Sequence, residues 1–104
     1  MDLELKGKTA LVTGASAGIG RAIAKELARE GIKLCIAARR TELLEQLAGE
    51  IVAKGGQRPM VAAVDLMQPA APQKLAEQAI AGLGQINILV NAAGGGDGGK
   101  WLDA

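Results

Sequence analysis

Three glycines near the N-terminus follow a pattern that is typical of phosphate binding. Residues 13–20 read Thr-Gly-Ala-Ser-Ala-Gly-Ile-Gly. Glycine allows a tight turn with positive φ and lets main-chain N–H groups approach a pyrophosphate, which the dipole of a following helix also favours. No Lys-Ser or Lys-Thr follows the last glycine, so the pattern is not a P-loop. The candidate phosphate ligands are Gly14, Gly18, Ile19 and Gly20, and the alternative is a glycine-rich connector that binds nothing.

Strands and helices that alternate along the chain must position this turn. Short apolar runs predict strands at 9–13, 33–38, 60–64 and 86–90. Apolar residues at helical spacing predict helices from Gly18 to about Glu30, from a cap at Thr41 to the glycines at 55–56, and from the prolines at 69 and 72 to Gly84. The β-α-β-α-β-α-β alternation predicts an α/β fold with a doubly wound parallel sheet in the order 3-2-1-4. The first two helices are expected on one face and the third on the other.

Spaced motifs over residues 5–94 resemble those of the short-chain dehydrogenase/reductases. The segment 13–20 resembles the cofactor fingerprint of that family, and Asp65-Leu66 after the third strand is similar to the acidic position that contacts the adenine. The segment Asn-Ala-Ala-Gly at 91–94 is similar to the family's Asn-Asn-Ala-Gly element, with Ala92 in place of the second Asn. The resemblance implies a Rossmann-type fold. It also implies cofactor contacts by Asp65, Leu66, Asn91, Ala93 and Gly94.

The end of the second strand distinguishes between the two nicotinamide dinucleotides. An acidic side chain there hydrogen-bonds the ribose 2′-hydroxyl of NAD and repels the 2′-phosphate of NADP. The sequence instead has Ala38 followed by Arg39 and Arg40, and Arg39 lies 19 residues after Gly20. A guanidinium can bind a phosphate through two hydrogen bonds, and Ser16 can donate another. The sequence therefore predicts NADP in preference to NAD. The alternative is a solvated charge pair, although cations are mildly unfavourable at a helix N-terminus.

Composition and charge exclude several other classes of function. The 104 residues include 12 Lys and Arg against 11 Asp and Glu, so a net charge of +1 gives no reason to expect nucleic acid or an anionic membrane as partner. The absence of His and the single Cys35 exclude a His-ligated metal and an internal disulfide. No apolar run approaches the roughly 20 residues of a membrane helix, and the N-terminus is acidic. We therefore expect a cytoplasmic protein without a metal site.

The residues that would catalyse hydride transfer are not among the motifs found in this sequence. The short-chain dehydrogenase/reductases catalyse this step with a Tyr and a Lys four residues apart, helped by a Ser, and this sequence contains no Tyr. No catalytic residue is therefore assigned. We expect residues 1–104 to form the N-terminal portion of a single dinucleotide-binding domain, with a flexible glycine-rich tail at 95–104. If these residues formed a whole domain, the fourth, apolar strand would be an open edge of the sheet.

The resemblance implies a whole enzyme that transfers a hydride between NADP(H) and a small carbonyl or alcohol substrate, as a homodimer or homotetramer. Two alternatives remain open at this stage. One is a dinucleotide-binding module without catalysis, and the other is a fragment too incomplete to bind anything. A Tyr-x-x-x-Lys sequence further along the chain would favour the enzyme over the module.

Overall fold

The computed structural model describes residues 7–92, which form a parallel sheet with helices on both faces. The strands are β1 (Thr9–Thr13), β2 (Lys33–Ala38), β3 (Met60–Ala63) and β4 (Ile88–Asn91). The helices are α1 (Gly18–Arg29), α2 (Thr41–Ala53) and α3 (Ala71–Leu83). The order β3-β2-β1-β4 confirms the predicted doubly wound topology. The predictions for Ala93, Gly94 and the segment 95–104 fall outside the described residues.

The centre of the sheet is formed by β1, which pairs in parallel with β2 on one side and β4 on the other. Every residue of β1 is buried, and in β2 only Lys33 is exposed. Near-continuous apolar strands of this kind are expected where helices cover both faces of a sheet. The outer strands of the described sheet are β3 and β4. In β4, Leu89 remains 65% exposed.

Two apolar cores lie on opposite faces of the sheet, because successive strand residues point to opposite sides. On one face, Val12 and Ile36 belong to a core that includes Leu44 of α2 and residues of α1. On the other face, Leu11 belongs to a core that includes Leu75 of α3. The structure thus confirms that α1 and α2 share one face and that α3 covers the other. No helix in residues 7–92 combines the length and the apolar character needed to cross a membrane.

The fourth strand begins later than predicted. It starts at Ile88 and continues through Asn91, whereas the sequence predicted residues 86–90. The reason is a set of side-chain hydrogen bonds before the strand. The Thr9 hydroxyl donates to the Gln85 carbonyl at 2.6 Å, and Asn87 Oδ1 accepts from the Thr9 N–H at 3.0 Å. These bonds hold residues 85–87 beside β1, ahead of the regular strand pairing that begins at Ile88.

The start of α2 also differs from the prediction. The cap residue is Arg40, in an extended conformation with φ −101° and ψ 103°, and Thr41 is already the first helical residue. The carbonyl of Arg40 accepts from the Leu44 N–H at 3.2 Å, which begins the helical ladder, and no side chain caps the helix. The prediction of Thr41 as the cap is therefore wrong by one residue. The consequence is that Arg40 stands at the junction of β2 and α2.

Candidate dinucleotide site

The candidate residues gather along one edge of the sheet. Each follows the carboxyl end of a strand: the glycine-rich turn follows β1, Arg39 follows β2, Asp65 follows β3, and Asn91 ends β4. Because all four strands are parallel, these ends lie at the same edge. Ligands of open α/β sheets bind in the crevice outside this edge. The structure thus brings the predicted segments together.

The turn after β1 opens α1 in a form suited to an anion. Gly14 and Gly18 adopt φ angles of +67° and +60°, which side-chain-bearing residues rarely adopt. No side chain caps the N-terminus of α1, and its first turn contains no acidic residue. Ile19 in this turn is 74% exposed. The first N–H groups of α1 and its positive dipole end are consequently not neutralised by a residue of the turn itself.

Gly20 is the glycine that brings helix and strand close together. A Cβ atom at this position would lie 2.2 Å from the carbonyl oxygen of Gly14 and 3.0 Å from the Cβ atom of Ala92. Real Cβ atoms essentially never come within 3.0 Å of a heavy atom outside their own residue and its chain neighbours, and the obstructing atom is main chain. The first turn of α1 therefore rests directly on the turn after β1. This cradle of main-chain atoms fits a pyrophosphate group, which needs close approach of N–H groups.

Three main-chain hydrogen bonds beyond the regular strands tie the four segments together. The Ala15 N–H donates to the Ala37 carbonyl at 3.1 Å, and the Val64 N–H donates to the Ala38 carbonyl at 2.9 Å. The Ala92 N–H donates to the Thr13 carbonyl at 3.2 Å. The first two bonds reach consecutive residues of β2 from opposite sides. The backbone immediately before Arg39 is thereby held by both neighbouring segments.

The two arginines after β2 are exposed and form no ion pair with any other residue of the described region 7–92. Arg21 differs from them, because its guanidinium binds the carboxylate of Glu50, which also binds Lys25 Nζ at 2.7 Å. No acidic residue stands at the end of β2, where Ala38 is buried. Arg39 and Arg40 are therefore cations at the sheet edge without a carboxylate partner in this region.

The remaining candidates contribute hydrogen bonds around the edge. Asp65 Oδ1 accepts from the Met67 N–H at 3.0 Å, which shapes the segment after β3, and Leu66 is half-buried. The Thr13 hydroxyl donates to Asn91 Oδ1 at 2.8 Å. This bond fixes the Asn91 side chain beside the glycine-rich turn.

Sequence reasoning missed two residues that shape the site. Thr13 was read only as part of the motif, although its position opposite Asn91 in the β1–β4 register places their side chains together. Ala15 gave no local signal, because its hydrogen bond to Ala37 joins residues that are distant in sequence. In the described part of the chain, no group of three or more His, Cys, Asp or Glu residues could hold a metal ion.

Comparison with known families gives the decisive observation. The family model described as short chain dehydrogenase matches residues 8–103, which is nearly the whole chain. The chain belongs to the short chain dehydrogenase family. The resemblance inferred from the spaced motifs is thereby confirmed.

Individual proteins that are similar to this chain agree with it in sequence or in fold. A short chain dehydrogenase of Pseudocercospora fijiensis is 46% identical over 91 residues, which cover 88% of this chain and 29% of that protein. The L-sorbose reductase of Gluconobacter frateurii, solved in complex with NADPH and L-sorbose, superposes with a TM-score of 0.83 at 38% identity, over 90% of this chain and 36% of that one. A metagenomic short-chain oxidoreductase in complex with NADP gives a TM-score of 0.80 at 42% identity, over 86% and 40%.

The chain therefore spans between 29% and 40% of the length of these three relatives. The superposition with these two solved structures shows that the described residues have the Rossmann fold.

Proposed function

We propose that this chain is the NADP(H)-binding portion of a short-chain oxidoreductase that transfers a hydride between NADP(H) and a small carbonyl or alcohol substrate. In this proposal residues 1–104 are the N-terminal portion of a single dinucleotide-binding domain. NADP(H), when bound, supplies the hydride chemistry, and this portion of the protein orients it. No catalytic residue is assigned within it.

The observation that carries the proposal is the pairing of two cationic features at one sheet edge. The uncapped N-terminus of α1 provides N–H groups and a positive dipole end for a pyrophosphate. Arg39 and Arg40 provide guanidinium groups that no carboxylate of residues 7–92 neutralises. An NAD-type site would have an acidic side chain at the end of β2, which repels a 2′-phosphate, and this chain has Ala38.

Each segment of the edge has a distinct role in the proposed complex. The pyrophosphate binds the turn and the first N–H groups of α1, at Gly14, Gly18, Ile19 and Gly20. The 2′-phosphate binds Arg39 and Arg40, with the hydroxyl of Ser16 as a further donor. The adenine lies against the Asp65-Leu66 segment, and the nicotinamide end lies towards Asn91, Ala93 and Gly94. The assignments of Asp65-Leu66, Asn91, Ala93 and Gly94 rest on the family resemblance.

The setting of the complete protein is also part of the proposal. The single thiol, Cys35, is fully buried, which is compatible with a reducing compartment such as the cytoplasm. The family resemblance supports an assembly of two or four copies. It also supports a small-molecule substrate rather than nucleic acid or a membrane.

Calorimetric titration of the complete protein with NADPH and NADH tests cofactor binding. We expect saturable binding of both, with the lower Kd for NADPH. Loss of NADPH absorbance on addition of aldehydes and ketones then tests hydride transfer. Tight NADPH binding without turnover on a broad panel would favour a binding module that lacks catalysis. The absence of binding by either dinucleotide would refute the proposal.

A further inference from the structure

One residue of the glycine-rich turn points into the protein rather than towards the edge of the sheet. Ala15 is 0% exposed, whereas Ser16 is half-buried and Ala17 is exposed. The Ala15 side chain belongs to the core between the sheet and helices α1 and α2, together with Val12 and Ile36. The turn is therefore anchored in the core by a methyl group at its middle.

The main chain of Ala15 forms a second, independent anchor. Its N–H donates to the Ala37 carbonyl at 3.1 Å, two residues before Arg39. This N–H is consequently directed at β2 and not at a ligand. The Ala38 carbonyl, one residue further, accepts from Val64 on the opposite side. The end of β2 is thus held in a fixed position relative to the turn.

We propose that Ala15 is a positioning residue that couples the pyrophosphate turn to the end of β2, and that the preference for NADPH over NADH depends on this coupling. The inference rests on the proposed function, because it assumes that Arg39 binds the 2′-phosphate. Ala15 itself contacts no part of the cofactor in this proposal. It acts by fixing the distance between the turn and the end of β2.

The physical reason is that binding of the pyrophosphate to the turn raises the effective concentration of the 2′-phosphate near Arg39. NADPH engages the turn through its pyrophosphate and Arg39 through its 2′-phosphate, so a fixed spacing lets both contacts form without further ordering. Of these two contacts NADH makes only the one with the turn, because it lacks the 2′-phosphate. Loosening the link between turn and strand therefore costs NADPH more affinity than it costs NADH.

The test compares two glycine substitutions of fully buried alanines in the complete protein. Ala15→Gly removes the methyl anchor and frees the backbone of the turn. Ala48→Gly removes a methyl group from the same core, on α2, without touching the turn. We expect Ala15→Gly to lower the ratio of the NADH Kd to the NADPH Kd on the order of fivefold. We expect Ala48→Gly to leave that ratio unchanged while lowering the thermal midpoint at least as much.

An unchanged ratio in Ala15→Gly, or an equal fall in both variants, would overturn the inference. A wild-type protein without preference for NADPH would instead refute the proposed function, and the inference would fall with it. Hydrogen exchange of the wild-type protein gives a second measurement that does not depend on the folding of a variant. The Ala15 amide should exchange as slowly as the amides of β1. Exchange as fast as that of Ala17 would show that the coupling is absent.

Discussion

The N–H of Ala15 donates to the carbonyl of Ala37, and this single hydrogen bond of 3.1 Å joins the turn after β1 to the end of β2. The bond matters because the next carbonyl, that of Ala38, is held from the other side by Val64. The backbone that leads to Arg39 is therefore fixed by contacts that involve no side chain of its own. Substitution of the Arg39 side chain should leave this backbone in place, so its effects report on the guanidinium itself.

Replacement of Arg39 tests the predicted phosphate contact. Arg39→Ala should raise the NADPH Kd far more than the NADH Kd, because only NADPH has the 2′-phosphate. Loss of a hydrogen bond between charged groups costs about 1.5–3 kcal/mol, which corresponds to roughly 10- to 100-fold in Kd. Calorimetric titration with both dinucleotides measures the two effects. Equal weakening of both would contradict the assigned specificity.

Arg58→Ala provides the matched control for this substitution. Arg58 is also an exposed arginine, but it precedes β3 and pairs with Glu45 at 2.6 Å. It lies towards the opposite edge of the sheet, where the strands begin. Its removal should change neither Kd.

Gly20→Ala should disrupt the cradle at the start of α1. The added methyl group would lie 2.2 Å from the Gly14 carbonyl oxygen, so either the helix or the turn must move. Overpacking of this kind costs about 1–3 kcal/mol of stability. We expect a lower thermal midpoint together with loss of both NADPH and NADH binding, because both dinucleotides use the pyrophosphate contact. Retention of wild-type affinity for both would show that the cradle does not hold the pyrophosphate.

The same substitution at Gly49 should have the opposite effect on stability. Gly49 is exposed within α2, and apart from its chain neighbours and the helix's own backbone, a Cβ atom there would have no heavy atom within 4 Å. Alanine is favoured over glycine in helix interiors by about 0.5–1 kcal/mol. Gly49→Ala should therefore raise the thermal midpoint and leave cofactor binding unchanged. A lowered midpoint would contradict the helical environment assigned to residue 49.

The carboxylate that links α2 to α1 should make stability depend on acid pH. Hydrogen bonds from Lys25 and Arg21 hold the pKa of Glu50 below its ordinary value of 4.5. A lowered pKa in the folded state stabilises the protein above pH 4.5, and this contribution is lost as the pH falls through the lower folded-state value. Glu50→Gln should therefore reduce the free energy of unfolding at neutral pH. The difference from wild type should vanish in acid and shrink at high salt.

Glu45→Gln on the same helix separates this effect from a general loss of charge. Among residues 7–92, Glu45 forms an ion pair with Arg58 alone, and both side chains are about half exposed. Pairs of this kind contribute little to stability. Chemical denaturation of both variants across acid and neutral pH makes the comparison. An equal response of the two variants would show that the double contact of Glu50 has no special effect.

Cys35 should be unreactive in the folded protein. Its side chain is fully buried in β2, and burial raises the pKa of the thiol from 9.0 to about 11. Thiol reagents should therefore label it only after denaturation. The raised pKa also implies that stability falls as the pH rises from 9 towards 11, because the unfolded chain ionises first. Rapid labelling of the native protein at neutral pH would contradict this burial.

The sequence was sufficient to predict the succession of strands and helices along the chain, because that information is local, and the doubly wound topology then supplied the order of the strands in the sheet. Apolar runs marked each strand, and the glycine pattern marked the turn that opens α1. The start of β4 was predicted two residues too early, because Asn87 was read as part of an apolar run. In the structure its side chain instead bonds Thr9, which is 78 residues away. Such a contact leaves no periodic signal.

The site shows the same division between local and distant information. The types and spacing of the candidate ligands were readable from the sequence. The contact of Gly20 with Ala92 and the binding of Arg21 by Glu50 were not, because each joins residues that are brought together only by the crossover connections. The position of the α2 cap was missed for another reason. Arg40 supplies its main-chain carbonyl to begin the helix, and that role needs no particular side chain.

The hydrogen bonds at Ala37 and Ala38 also bear on how this binding edge can change. Because they use only main-chain atoms, they survive any exchange of side chains at the end of β2 that leaves the core packed. Substitution of Arg39 or Arg40 can therefore change the charge at this edge without rebuilding the sheet. In the proposed complex, the choice between NADP and NAD can consequently change while the fold that supports it stays the same.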